Sequence, residues 1–560
     1  MTKNKDYTRL NKFSDLYECA RLAYEETMER MERNIEQYHG SSQIDGGLEN
    51  ANAVRNITYE LIESAISSDV PYAKVSAESY SEKGENLSQA VERLLYNTRE
   101  KLPLDEINDA DERSTYIFGG SILFLEWIKE ENSGCDGEIR LRQITPRDFV
   151  PEPGITRLED MSYCFLRFTT NKSELVSKYG IAKSELDLAD CEFRWGGAAS
   201  MNDTVNVIIA FYKGDDGTVG RFVFSGDLVL SDEPDYYGSY TDDIIDFKDK
   251  NSDYENIYLQ NTNENKKIIR VKKYRSKEFP LILRKNISLD ESLLGASDAD
   301  ILRPVQQAIN KIESRIMQKL LRAGVTPIMP EDASVSLSNA IFGQVIKIKT
   351  GESTSQYGTV DTTPDISQDI TEADRLYDQA KRLVGISDAY QGIDYNKVES
   401  GYAKSLRIRQ AEGRLESKRR MKNIAYERLY KLIFQHYLSF SRNSKSLIYK
   451  DDFGIVKDQK FDKRDFIQMN EAGEYYYYDS LVFTTDRDLF EEYQREAIWE
   501  KNLENLKSGT LGDTSDPKTL LRYWQFQQKA HYPNAKENAE YFKKIVENER
   551  INTDGRDAYT

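Results

Sequence analysis

Ile301-Leu-Arg-Pro-Val-Gln-Gln-Ala-Ile-Asn310-Lys-Ile-Glu-Ser-Arg-Ile-Met-Gln-Lys-Leu320-Leu-Arg-Ala-Gly324 is the stretch around which the rest of the sequence arranges itself. Val305, Ile309, Ile312, Ile316 and Leu320 recur at intervals of three and four, which predicts a helix with one apolar stripe. Lys311, Arg315, Lys319 and Arg322 form a basic stripe on another face. Pro304 suits the first turn of such a helix and Gly324 its end, giving an element about 30 Å long at ~1.5 Å per residue. Between Val325 and Asp365 the pattern changes to short strands and turn residues, with Gly343 to Lys349 alternating cleanly. Ile370, Ala373, Leu376, Tyr377, Ala380 and Leu383 then rebuild a helix of similar length. The unit is a helix, a small β-rich insertion and a helix back.

Working downstream, Gly385 to Gly401 reads as a loop carrying Tyr390, Gln391, Gly392, Asp394, Tyr395, Asn396, Lys397 and Ser400. It feeds a long helix from about Tyr402 to Phe440, in which Lys404, Arg407, Arg409, Arg414, Lys418, Arg419, Arg420, Lys422, Arg428 and Lys431 face only Glu412, Glu416 and Glu427. Charges spread around a helix of an acidic chain are expected to pair with acidic surfaces of the same subunit or of a neighbour, rather than with phosphates. Residues 446 to 485 are strand-like, and alternate tyrosines of Tyr475 to Tyr478 should face opposite sides of a sheet. From Asp488 the chain is helical, with Trp499 and Trp524 as core anchors and a frayed tail at Asn552 to Thr560.

Working upstream, Ser14 or Asp15 opens a helix that runs to His39, and two further helices pass through Val54 to Ile62 and Leu87 to Leu95. From Ile117 the period changes. Gly119-Gly120 leads into Ser-Ile-Leu-Phe-Leu-Glu-Trp127, and Glu138-Ile-Arg-Leu-Arg-Gln-Ile144 alternates as a half-buried strand does. Strands are also expected at Met161 to Phe168, Val205 to Tyr212 and Gly220 to Phe224, which makes residues 1 to about 298 an α/β region with a mostly antiparallel sheet. The acidic segment 231 to 267 reads as a long surface excursion.

Composition narrows the function. In 560 residues, 77 Lys and Arg stand against 95 Asp and Glu, leaving −18, and the hydrophobic share of 39% is enough to close real cores. The longest apolar runs, Ile122 to Leu125 and Val205 to Phe211, fall far short of the roughly 20 residues that span a bilayer, so no membrane partner is expected. The opening Met-Thr-Lys-Asn-Lys-Asp-Tyr-Thr-Arg lacks the apolar core of a signal peptide. Cys19, Cys135, Cys164 and Cys191 show no CxxC pair and read as reduced thiols. His39, His436 and His531 are too few and too scattered for a zinc or histidine-based site. Gly180-Ile-Ala-Lys-Ser184 lacks the first glycine of a phosphate cradle. Asp249, Asn251 and Asp253 mimic a calcium loop, but Gln260 stands where an acid is needed. No enzyme activity, metal or cofactor is expected.

The order of these parts resembles a tailed-bacteriophage portal protein, the head-tail connector family, over nearly the whole chain. The residues that carry the resemblance are Glu36-Gln-Tyr-His-Gly40, Ile117 to Trp127, Ile144-Thr-Pro-Arg-Asp-Phe-Val-Pro-Glu-Pro-Gly154, the helix, insertion, helix unit at 301 to 386, and Ser400-Gly-Tyr-Ala-Lys404. The resemblance implies an α+β protomer: a wing from 1–300, a first stem helix at 301–324, a clip at 325–365, a second stem helix at 366–386, a tunnel loop at 387–401, a wing helix with returning strands at 402–486, and a helical crown at 487–560. It further implies a homo-oligomeric ring of twelve at one capsid vertex of the virion, assembled in the host bacterial cytoplasm, through which double-stranded DNA is packaged and ejected. Its implied partners are the terminase large subunit, the major capsid or scaffolding protein and the head-tail adaptor. Candidate DNA-channel or tunnel-loop residues are Tyr390, Asp394, Tyr395, Asn396 and Lys397, and Lys311, Arg315, Lys319 and Arg322 are a candidate basic face of the stem, for which a solvated or inter-subunit face is the competing reading. Two other classes stand against this reading: a metal-dependent nucleic-acid enzyme using Asp242, Asp243 and Asp246, which lack an accompanying base or phosphate cradle, and a non-viral helical scaffold.

Overall fold

The computed structural model describes the chain apart from residues 1, 41–52, 79–81, 129–136, 183–184, 186–188, 190–203, 239–242, 247–267, 323–324, 329–357, 362–363, 387–400, 443, 451–455, 471–472, 486–488, 530–531, 533, 536 and 547–560. The elements upstream of residue 290 are α1 (Thr2–His39), α2 (Ile57–Ala65), β1 (Ala73–Ala77), α3 (Glu82–Lys101), α4 (Leu104–Phe118), β2 (Gly120–Ile128), β3 (Glu138–Ile144), β4 (Phe149–Pro151), β5 (Tyr163–Asn171), α5 (Lys172–Tyr179), β6 (Thr204–Lys213), β7 (Val219–Ser225), β8 (Leu228–Glu233), β9 (Asp243–Asp246), β10 (Ile268–Val271) and β11 (Leu281–Lys285). They are followed by α6 (Asp298–Arg322), β12 (Val325–Ile328), β13 (Gly358–Asp361), α7 (Ser367–Val384), α8 (Gly401–Phe440), β14 (Lys445–Lys450), β15 (Val456–Phe461), β16 (Ile467–Met469), β17 (Tyr475–Tyr477), β18 (Leu481–Thr485), α9 (Leu489–Lys507) and α10 (Pro517–Lys529). The fold is mixed α+β.

β2 is the keystone, because its period-two alternation feeds two different cores. Ile122 and Phe124 pack toward the antiparallel meander β4-β5-β6-β7-β8, whereas Leu123, Leu125 and Trp127 pack toward the C-terminal half of α8, with Tyr426, Leu429, Ile433 and Tyr437. β2 is accordingly buried along almost its whole length, flanked by β11 and β3 in a three-stranded antiparallel sheet. The outer face of the meander is covered by the first half of α1, where Leu10, Phe13 and Ala20 meet Phe165, Ile208 and Phe222. That covering explains why α1 begins well before residue 14: Leu10 and Phe13 have a sheet to bury against, and Arg9 pairs with Asp232 at 2.6 Å.

Two segments far apart in sequence close the body, β1 pairing antiparallel with β18 from Ala73↔Thr485 to Ala77↔Leu481. The tyrosine run forms β17, with Tyr477 buried and Tyr476 exposed as alternation requires. It makes one parallel bridge, Val271↔Tyr475, in a set of otherwise antiparallel pairings. Trp499 and Trp524 converge on Tyr532, with ring centroids 4.9 and 6.1 Å away.

Three expectations are corrected. The 231 to 267 segment is not all surface: β8 extends to Glu233, and Tyr236 and Tyr237 are buried against Phe211 and Phe440, so aromatic anchoring outweighs the acidic composition. Pro304 lies inside α6 rather than in its first turn, because the helix opens earlier, at Asp298, under a cap from Ser297. Finally, α4 and α5 stand where no helix was expected. The expected strand at Gly343 to Lys349 lies outside the described residues.

Candidate functional site

The hairpin of α6 and α7 exposes several large apolar side chains, and its root explains its direction. Ser297 Oγ accepts from the backbone N–H groups of Ala299 at 3.0 Å and Asp300 at 3.3 Å, satisfying two donors at the helix start. The same hydroxyl donates to the Ile117 carbonyl at 2.6 Å, so the cap ties the hairpin to the last turn of α4. That turn ends at Gly119, whose φ of +87° is left-handed, and a Cβ there would lie 2.6 Å from the Gly295 carbonyl oxygen. Only glycine allows the two backbones to meet.

Beyond the cap, α6 has two buried faces of different chemistry. Leu302, Val305 and Ile309 enter the main apolar core. Gln306, Asn310 and Ser314, one turn apart, form a buried polar seam. Gln306 Oε1 accepts from the Thr58 N–H at 3.0 Å, and Gln306 Nε2 donates to the Arg55 carbonyl at 2.7 Å and to Asn310 Oδ1 at 2.8 Å. Asn34 and Gln37 of α1 reach the same root, donating to Ile117 O and Ala299 O, each at 3.0 Å, and Arg303 bonds both side chains. Buried groups so satisfied fix the hairpin's orientation.

A second tether is ionic. Arg284 of β11 pairs with Asp111 at 2.6 Å and Glu112 at 2.8 Å, both on α4, and Lys422 of α8 pairs with Glu112 at 3.0 Å. Lys418, one turn earlier on α8, pairs with Asp298 at the first residue of α6. All six side chains are buried. Burial pushes the Glu112 carboxyl up, but the Arg284 and Lys422 charges outweigh it and hold it below the usual carboxylate range. Burial also lowers Lys422. The basic run of α8 thus meets acids of its own subunit here, as do Arg428 with Glu159 at 3.0 Å and Lys431 with Glu278 at 2.7 Å.

Away from its root the hairpin loses cover. Met317, Leu320 and Leu321 are 43%, 49% and 65% exposed, and Ile370 near the start of α7 is also exposed. α7 lies against α6 and buries Ala373, Ala380 and Val384. Lys311 and Arg315 are exposed and Lys319 half-buried on one line of α6. Arg315 and Lys319 both bind the carboxylate of Asp369 on α7, Lys319 at 2.6 Å. The side chain of Arg322 lies outside the described residues, as do Tyr390, Asp394, Tyr395, Asn396 and Lys397. Asp243 and Asp246 sit on β9 with undescribed side chains, and Asp242 lies outside the described residues. Among the described residues no three His, Cys, Asp or Glu side chains gather to hold a metal, and no helix is long and apolar enough to cross a membrane.

This sequence of parts has a counterpart: the family described as the phage SU10 portal protein matches residues 85–464, about two thirds of the chain. The chain belongs to that phage portal family. No individual curated protein matches it. The portal match takes in the whole hairpin, the Arg284 cluster and α8. It leaves out α1, α2 and β1 at one end and β16 to α10 at the other, so Asn34 and Gln37 seat the portal hairpin from outside the matched region. Portal families are structural rather than enzymatic, and a phage portal is a component of the capsid.

Sequence reasoning missed Asp369, Asp298 and the Gln306–Asn310–Ser314 seam. The seam's spacing of four was legible on α6, and an acid in the first turn of α7 was legible too; that each would meet those partners was not.

Proposed function

We infer that the chain is one protomer of a closed ring, of twelve copies as the resemblance implies, set at one vertex of the capsid as a non-enzymatic conduit through which double-stranded DNA is packaged and ejected. In this reading α6 and α7 are the stem, the β12–β13 end is the clip that meets the terminase large subunit and later the head-tail adaptor, and residues 387–401 are the tunnel loop. The wing, from 1–300 with 402–486, and the crown at 487–560 face the major capsid or scaffolding protein. Hydrolysis belongs to a separate terminase. The observation that carries the reading is the portal-family match across residues 85–464. The bare outer face of the hairpin supports it, since a ring interface is heterologous and closes by covering each protomer's face with its neighbour. Electron microscopy of the purified protein tests it: annular particles with an axial hole are expected, and a monodisperse monomer under all assembly conditions refutes the ring.

A further inference from the structure

Lys311, Arg315 and Lys319 follow one another at intervals of four along α6, so they rise on one side of the helix. They are not equally available. Arg315 pairs with one oxygen of the Asp369 carboxylate and Lys319 with the other at 2.6 Å, and Lys319 also donates to the Asp365 carbonyl at 3.3 Å. Asp369 is itself buried, in the first turn of α7, where the helix dipole favours an anion. The hydrogen bond from Lys319, and then the Arg315 charge, outweigh the cost of desolvation and hold its carboxyl below the usual range, so it is ionised at neutral pH. One carboxylate thus spends both oxygens on two cations of the facing helix. Lys311, one turn nearer the root, is exposed and has no ionic partner among the described residues.

We propose that Asp369 is an electrostatic mask: by binding Arg315 and Lys319 within the protomer it withholds both from the phosphates of duplex DNA running past the hairpin, and leaves Lys311 as the available cation of these three. The proposal rests on the portal reading and adds a device to it. Each free lysine or arginine that neutralises a phosphate releases condensed counterions and steepens the salt dependence of binding, so a free basic column repeated around a ring would raise the ring's affinity for the duplex. If Asp369 only ties two helices together, its removal lowers stability and leaves DNA affinity alone.

The test uses rings of the full chain and the anisotropy of a labelled random-sequence duplex, between about 50 and 200 mM salt. Asp369→Asn rings should bind at least about tenfold more tightly at the low end, with the slope of log K against log salt steeper by about one or more. The triple variant Asp369→Asn, Arg315→Gln, Lys319→Gln should return to within about threefold of the unsubstituted rings, because it deletes only cations that were already withheld. Lys311→Gln alone should weaken binding. Asp369→Asn rings that bind no more tightly overturn the mask. If Asp369→Asn fails to assemble, the triple variant decides: a loss of affinity as large as that of Lys311→Gln means that Arg315 and Lys319 were engaged with DNA, and overturns it equally. Absence of rings from the unsubstituted chain would sink the portal reading instead.

Discussion

Replacing Leu320 and Leu321 together by glutamate separates folding from assembly. Both side chains lie on the outer part of α6 and are 49% and 65% exposed in the protomer, so the isolated subunit draws little stability from them. Full burial of a leucine is worth about 1.5–3 kcal/mol, and covering the exposed half to two thirds of each in a ring would gain about 2–3 kcal/mol per contact for the pair. Glutamate forfeits that gain and adds the cost of desolvating two carboxylates, several kcal/mol more. The total, on the order of 5 kcal/mol per contact, weakens each interface by a factor of about a thousand or more. Mass photometry and negative-stain images should then show protomers at concentrations where the unsubstituted chain forms rings. Circular dichroism melting should move by no more than a few degrees, as expected for exposed positions. Rings that assemble at the original concentration would refute the claim that a neighbour covers this face.

Ile309→Asp should fail in the opposite order: Ile309 is fully buried at the root, so the charge enters a core and the protomer itself should lose its cooperative melt, with a native-like transition as the contrary result. Arg284→Met leaves Asp111 and Glu112 buried without their shared cation and should cost about 3–5 kcal/mol by urea denaturation; a loss under about 1 kcal/mol would mean that Lys422 suffices. His436 is buried with Nδ1 donating to the Leu432 carbonyl at 2.8 Å, and burial lowers its pKa from 6.5 to about 4. The unfolded chain therefore takes up a proton at this site below about pH 6.5 while the folded chain does so only near 4, so stability present above 6.5 is lost as pH falls, by about 3 kcal/mol at pH 4. His436→Gln should flatten the dependence of the urea midpoint between pH 4 and 7. Parallel profiles for the two proteins would exclude that contribution.

Where local periodicity carries the information, the fold could be read from residues alone. The two helices of the hairpin and the strands around Phe124, Ile208 and Phe222 lie close to where their spacing put them. α4 escaped because the test looks for apolar residues at helical spacing, and between Leu104 and Tyr116 its buried positions are polar: Asn108, Asp111, Glu112, Ser114 and Thr115. Lys418 and Lys422 were expected to pair with acids of the same subunit or a neighbour, and they do, but which acids was not legible. Their carboxylate partners, Asp298 and Glu112, stand 120 and more residues away, and nothing local distinguishes a lysine with a buried counter-charge from one in water. The same limit applies to the hairpin's basic face, whose positions were legible and whose neutralisation by Asp369 was not. Pro304 marked a helix correctly and its start wrongly, because the Ser297 cap extends the helix upstream of the residue best suited to open it.

The polar root of the hairpin also sets an order of events during synthesis. Asn34 and Gln37 are buried in the folded protomer with bonds to Ile117, Ala299 and Arg303, and Thr58 with bonds to Gln37 and Gln306. On a ribosome adding ~5–20 residues per second, α1 emerges on the order of tens of seconds before the segment that completes it. Until then Asn34 and Gln37 can reach only Ile117 and Thr58, and their bonds with Ala299 and Arg303 are missing. The nascent protomer therefore withholds its own seat until α6 arrives, and the adhesive outer face of α6 comes into being on a subunit whose foundation is closing at the same moment.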